Sequence, residues 1–112
     1  MGTIYKVLAQ SAPGNTSVVN VYTVPAATNT IVSTLMICNR GGANAQYNVA
    51  VVPSGAALAN QHYIAFNAPV PANDSISITV GMSLAATDNV AIQANTVGNN
   101  NLGFTLFGTE IS

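Results

Sequence analysis

Polar and apolar positions alternate with a period of two along most of this chain. The clearest run is Ser75-Ile76-Ser77-Ile78-Thr79-Val80. As a strand it turns Ile76, Ile78 and Val80 to one face and Ser75, Ser77 and Thr79 to the other. The same reading gives strands over Thr3–Gln10, Ser17–Val24, Thr30–Asn39, Ala45–Val52, His62–Asn67, Asp88–Asn95 and Leu102–Ile111. Val90, Ile92 and Ala94 share a face in the seventh strand. In the last, Phe104 and Leu106 share one face and Phe107 takes the other. Thr30–Asn39 is β-branched and apolar on both alternating faces, which predicts a central strand covered on both sides.

Turn residues separate these runs. Ser11–Asn15 and the Pro25–Asn29 loop close the first two strands. Arg40-Gly41-Gly42-Ala43-Asn44 reads as a hairpin loop, and Pro69 and Pro71 stop the fifth strand. Gly81–Thr87 and Thr96–Asn101 read as connections. Ala56–Gln61 has helix propensity but is too short for more than a turn or two. About eight short strands, spaced roughly ten to fourteen residues apart with almost no helix, predict an all-β antiparallel sandwich. Spacing leaves Ig-like and jelly-roll-like strand orders both open. No segment recurs at a fixed period and composition does not shift, so residues 1–112 read as one domain.

Composition narrows the function. Of 112 residues, 2 are basic and 3 acidic, so 4% are charged, while 49% are hydrophobic and mean hydropathy is +0.40. Lys6 and Arg40 are too few to release many counterions, so no nucleic-acid partner is expected. No apolar run approaches the ~18 residues of a spanning helix, and no membrane partner is expected. The first residues lack a basic start followed by an apolar stretch, so no signal peptide is read. The one cysteine, Cys38, follows Leu35-Met36-Ile37 and reads as a buried, inert thiol.

Candidate chemistry is sparse. His62 with Asp74 or Asp88 and a serine would make a triad, but no Gly-x-Ser-x-Gly elbow marks a nucleophile. Asp74 and Asp88 stand where a strand begins, positions in which aspartate bonds nearby backbone amides. One Cys and one His do not make a zinc site, and Asn73-Asp74 matches no calcium loop. No catalytic residue, metal ligand or cofactor is expected, and the chain does not read as an enzyme. Tyr63 with Asn60, or the Asn99–Asn101 loop, would be the place for a carbohydrate.

The outward strand positions are filled by uncharged residues: Ser75, Ser77, Thr79, Gln93, Asn95, Thr105 and Thr109. Such groups are easier to desolvate than ions. Uncharged edges also lack the usual lysine defence against pairing. The expected life of this chain is therefore packed against copies of itself or a large partner. The expected contact residues are Ile4, Tyr5, Val7 and Leu8 near the N-terminus and Phe104, Leu106, Phe107 and Ile111 near the C-terminus.

The run Tyr5-Lys6-Val7-Leu8-Ala9-Gln10-Ser11-Ala12-Pro13 resembles small virion proteins of tailed bacteriophages. So do Tyr22-Thr23-Val24-Pro25-Ala26, Cys38-Asn39-Arg40-Gly41, Gly55–Ile64, Leu84–Asp88 and Phe104–Ile111. The resemblance covers nearly the whole chain and carries over no catalytic residue. It implies a bacteriophage structural protein of the virion, a homo-oligomer (trimer or dimer) that contacts other virion proteins such as the major capsid protein. A capsid decoration, or cement, protein fits best, ahead of a tail, baseplate or fibre component. The reading from another class is a carbohydrate-binding host-attachment module.

Overall fold

The computed structural model describes residues 2–13, 16–94 and 101–112, with the side chain of Val80 excepted. Eight strands run in order: β1 (Thr3–Ser11), β2 (Val19–Thr23), β3 (Asn29–Asn39), β4 (Ala45–Val52), β5 (Tyr63–Val70), β6 (Ser75–Leu84), β7 (Asn89–Ala94) and β8 (Leu102–Ile111). A 3-10 turn at Asn60–His62 precedes β5.

The pairing is nested. β4 pairs with β5, β3 with β6, β2 with β7 and β1 with β8, all antiparallel. The ribbon so formed folds over, and β3 meets β8 while β4 meets β7. Two four-stranded sheets result, β1-β8-β3-β6 and β2-β7-β4-β5. That order is the jelly roll, so of the two topologies open from spacing this one is realised. Gly2 and Ser112 continue the β1–β8 ladder, each backbone N–H donating to the other's carbonyl at 2.8 and 2.9 Å.

The core lies between the sheets. β8 supplies Leu102, Phe104 and Leu106; β7 supplies Val90, Ile92 and Ala94; β4 supplies Tyr47 and Val49. The rings of Tyr47 and Phe104 meet edge-to-face across the sheets at 6.3 Å. β8 keeps a strict alternation over its whole length, and its bounds and inward face are those the period-two pattern predicts.

The other strands of the first sheet do not keep one phase. The β3 ladder slips between Val32 and Thr34 against both neighbours, and β1 slips against β8 between Val7 and Ala9. β6 takes up its extra residue next to Gly81, whose φ of +58° is open to glycine at little cost. These bulges lie in one line across the sheet, opposite Phe107 and Gly108. β8 is drawn so close there that a Cβ on Gly108 would stand 2.1 Å from the Ile31 carbonyl oxygen.

The structure corrects five sequence expectations. β3 turns Thr30 and Val32 inward before the bulge and Leu35, Ile37 and Asn39 after it. Its apolar residues thus appear on both faces because the phase changes, not because both faces are covered. Ile31 and Cys38 are exposed, and Cys38 is not the buried thiol the sequence suggested. Gly81 does not end the sixth strand, which runs on to Leu84. The fifth strand passes through Pro69, since β5 is an edge strand and a proline there costs no ladder bond on its free side. Arg40–Asn44 is no hairpin, because β3 and β4 belong to different sheets. Buried Asn39 holds that crossing, its amide donating to the carbonyls of Ala43 (2.8 Å) and Val70 (3.2 Å) and its oxygen accepting from Gly41 N–H (2.9 Å).

Candidate contact surfaces

The two expected contact segments are neighbours: β1 pairs with β8, placing Tyr5 opposite Thr109 and Val7 opposite Phe107. Only β1 is an edge; β8 lies between β1 and β3. Directly opposed residues share a face, so Tyr5, Val7, Phe107, Thr109, Ile111 and Ile31 all stand on the outer side of this sheet. Tyr5 is 82% exposed and Val7 and Ile31 are also exposed, while Phe107 and Ile111 are half-buried. Ile4 is exposed on the opposite side of β1, and Leu8 packs onto the core at the bulge. Phe104 and Leu106 are wholly inside the sandwich and have no surface to offer in this fold.

The outer face has relief. Gly103 stands opposite Cys38 and leaves a gap where its neighbours carry side chains. Gln10, Met36, Cys38 and Phe107 wall a shallow hollow of about 420 Å³ around it. Ser75, Ser77 and Thr79 of β6 complete the exposed face.

The outer face of the second sheet differs. Asn48, Ala50, Val52 and Ala91 are buried there although they belong to no part of the core. The Asn60–His62 turn packs against β4. Asn48 is satisfied in place, donating to Gln93 Oε1 at 2.8 Å and accepting from Asn67 N–H at 2.7 Å.

At the rim of this sheet Tyr63 and Phe66 meet edge-to-face at 5.1 Å. With Asn60 they line a second hollow, of about 320 Å³. Phe66 is 61% exposed. Here the structure brings together the Tyr63–Asn60 pair named from sequence and adds Phe66, three residues along β5. Asn99 and Asn100 lie outside the described residues.

Asp74, Asp88, His62, Lys6, Glu110 and Tyr22 bond within the fold. Asp88 accepts from Ser54 N–H (2.8 Å) and Ala85 N–H (3.0 Å), and Asp74 from Ser75 N–H (2.8 Å). His62 Nδ1 accepts from Ala59 N–H at 3.0 Å. Lys6 and Glu110 form an ion pair at 3.0 Å. The Glu110 carboxylate also accepts from the Tyr22 hydroxyl at 2.5 Å, and Thr30 Oγ1 lies 2.9 Å from the same hydroxyl. Tyr22 has one proton, so Thr30 is the donor in the second bond. β1, β8 and β3 of one sheet are thereby clasped to β2 of the other. Burial, and then the Glu110 carboxylate beside it, push the Tyr22 phenol up to about 12. The Tyr22 hydroxyl and then Lys6 hold Glu110 below the usual carboxylate range. Among the described residues no group of three or more His, Cys, Asp or Glu is placed to hold a metal ion.

No family model and no curated protein matches the sequence. Solved structures of infectious bursal disease virus do match in fold. For the Gx strain the TM-score is 0.54 at 8% identity, over 97% of this chain and 31% of the other. For the Gt strain it is 0.52 at 7% identity, over 97% and 30%. This chain therefore spans about a third of the length of each chain it matches. At such identity the likeness is one of fold: the jelly roll seen here recurs, over almost its full length, within larger chains of a virus.

Proposed function

We propose that this chain is a structural protein of a virion, and within that role a capsid decoration (cement) protein of a tailed bacteriophage. The observation that carries the reading is the outer face of β1-β8-β3-β6, a broad sheet surface with exposed Tyr5, Val7 and Ile31 and no charged side chain on it. A face of that kind gains free energy when covered and resists covering less than an ionic one. The recurrence of the fold in structures of a virus supports the same reading. Such a protein works without chemistry. It strengthens a shell by burying area across neighbouring subunits, contacting the major capsid protein and other copies of itself.

Counting copies in purified particles tests this. Quantitative mass spectrometry should find hundreds per particle. A dozen or fewer would sink decoration and point to the tail, baseplate or fibre. Absence from particles would sink the virion role.

A second reading rests on the rim hollow. Asn60, Tyr63 and Phe66 present two aromatic rings and an amide, the chemistry that stacks on a sugar ring and bonds its hydroxyls. Under this reading the chain attaches to a host glycan. Binding on a glycan array that Tyr63→Ala abolishes would favour it over decoration.

A further inference from the structure

We propose that the outer face of β1-β8-β3-β6 is a two-fold interface with a second copy of this chain, Tyr5 of each copy seating in the hollow at Gly103 of the other. This goes beyond the virion reading and holds or fails without it.

Three observations select this face and this occupant. First, the two outer faces are unequal. Asn48, Ala50, Val52 and Ala91 are buried on the outer side of the second sheet, whereas among the described residues none on the outer side of the first is buried. Second, the face is free of ions. Among the described residues, Lys6 and Glu110 turn to each other and to Tyr22, while Arg40, Asp74 and Asp88 lie in the connections between strands. A charged partner finds no complement here, whereas a second copy meets no like-charge repulsion.

Third, the relief is complementary to itself. The knob, Tyr5, stands beside Thr109, and the hollow surrounds Gly103, six residues along the same strand. At about 3.4 Å per residue the two are roughly 20 Å apart. Phe107 and its neighbour Val7 lie close to the midpoint. A two-fold axis in the plane of the face, perpendicular to the strands and passing near Phe107, exchanges the two ends. Each knob then lies over the other copy's hollow, and Val7 and Phe107 pack on their own mates, as an isologous interface requires. Gln10 and Ser11 at the hollow offer an amide and a hydroxyl to the incoming phenol. Four strands about 4.8 Å apart and ten residues long have a footprint of roughly 600 Å² before side chains roughen it. That is close to the ~800 Å² per partner of a stable complex.

The full chain carries its own probe, since Cys38 is exposed at the wall of the hollow and is the one native thiol. Under a mild oxidant the Ile31→Cys variant should give a covalent dimer, through a disulfide from position 31 of each copy to Cys38 of the other. Ile31 is paired with Thr109 and Cys38, on the same strand, with Gly103, and the axis exchanges these two ends. Within one chain the two positions are too far apart to bridge, as a disulfide needs Cα atoms within about 7 Å. The unsubstituted chain should not crosslink, since the axis keeps its two Cys38 residues at opposite ends. An Ile64→Cys variant, on the other sheet, should not crosslink either. In sedimentation equilibrium the chain should dimerise, and Tyr5→Ser and Gly103→Val should each weaken the dimer about tenfold or more. Gly103→Val leaves the fold intact because a Cβ there meets nothing within 4 Å. A monomer at millimolar concentration, a dimer indifferent to both substitutions, or no Ile31→Cys crosslink would each overturn the proposal. A Tyr5→Ser monomer still abundant on particles would leave the virion reading standing.

Discussion

Gly108 has no room for a side chain. A methyl group there would run into the Ile31 carbonyl and within 2.9 Å of Leu8 Cδ1, so β3 or β8 has to move. Gly108→Ala should cost about 3 kcal/mol or more in urea unfolding, whereas Gly103→Ala, with open space around it, should be close to neutral. The Tyr22–Glu110–Lys6 clasp is the main ionic feature, and its pH dependence has two limbs. Glu110 is lowered in the folded chain, so its contribution is fully present above its unfolded value near 4.5 and is lost as pH falls through the folded one. Tyr22 is raised, so its contribution is present below 10 and is lost as pH rises toward about 12. A plot of Tm against pH should fall at both ends, and Tyr22→Phe should flatten the alkaline limb. An unchanged alkaline limb in Tyr22→Phe would refute the clasp.

At the scale of elements, the bulges decide which residues face outward, and they also decide how much of the fold could be read from sequence. β4 keeps its expected bounds, Ala45–Val52, although it is buried on both faces. β8 alternates, and its bounds follow from the pattern alone. β6 did not, because Gly81 looks the same in sequence whether it ends a strand or kinks one. β3 did not, because a one-residue slip at Ser33 gives the same apolar string as a strand covered on both sides. Exposed Cys38 was lost to that ambiguity. Phe104 and Leu106 face the core, and which face of β8 is the inner one is set by the second sheet, and so by pairings between distant residues. The hollow at Gly103 was out of reach for the same reason, since it exists only because β3 sets Cys38 opposite a glycine. The bulge itself gives a test: at φ +58° Gly81→Val should cost about 1–2 kcal/mol in chemical denaturation even though its Cβ would meet nothing.

For the molecule as a whole, nested pairing ranks the contacts by the length of chain each must close. β4 and β5 are joined by the 53–62 connection, whereas β1 and β8 are separated by almost everything else. Closure entropy rises with loop length, and non-local pairing slows folding to roughly milliseconds to seconds. Stopped-flow φ-values should therefore be highest in β4, β5 and the adjoining β3–β6 pair and lowest in β1 and β8. High values in β1 and low ones in β5 would mean that the ribbon does not zip from its closed end.

The reciprocal bonds between Gly2 and Ser112 have a consequence for engineering. With Gly2 and Ser112 hydrogen-bonded to each other, the backbone of residues 2–112 is in effect a ring cut at one place. A short linker across that cut, with new ends opened in the exposed 53–58 stretch, would give a circular permutant with the same sheets. It would also move the point of attachment for any fused cargo from the β1–β8 rim to the side of the sandwich that carries the Asn60–His62 turn.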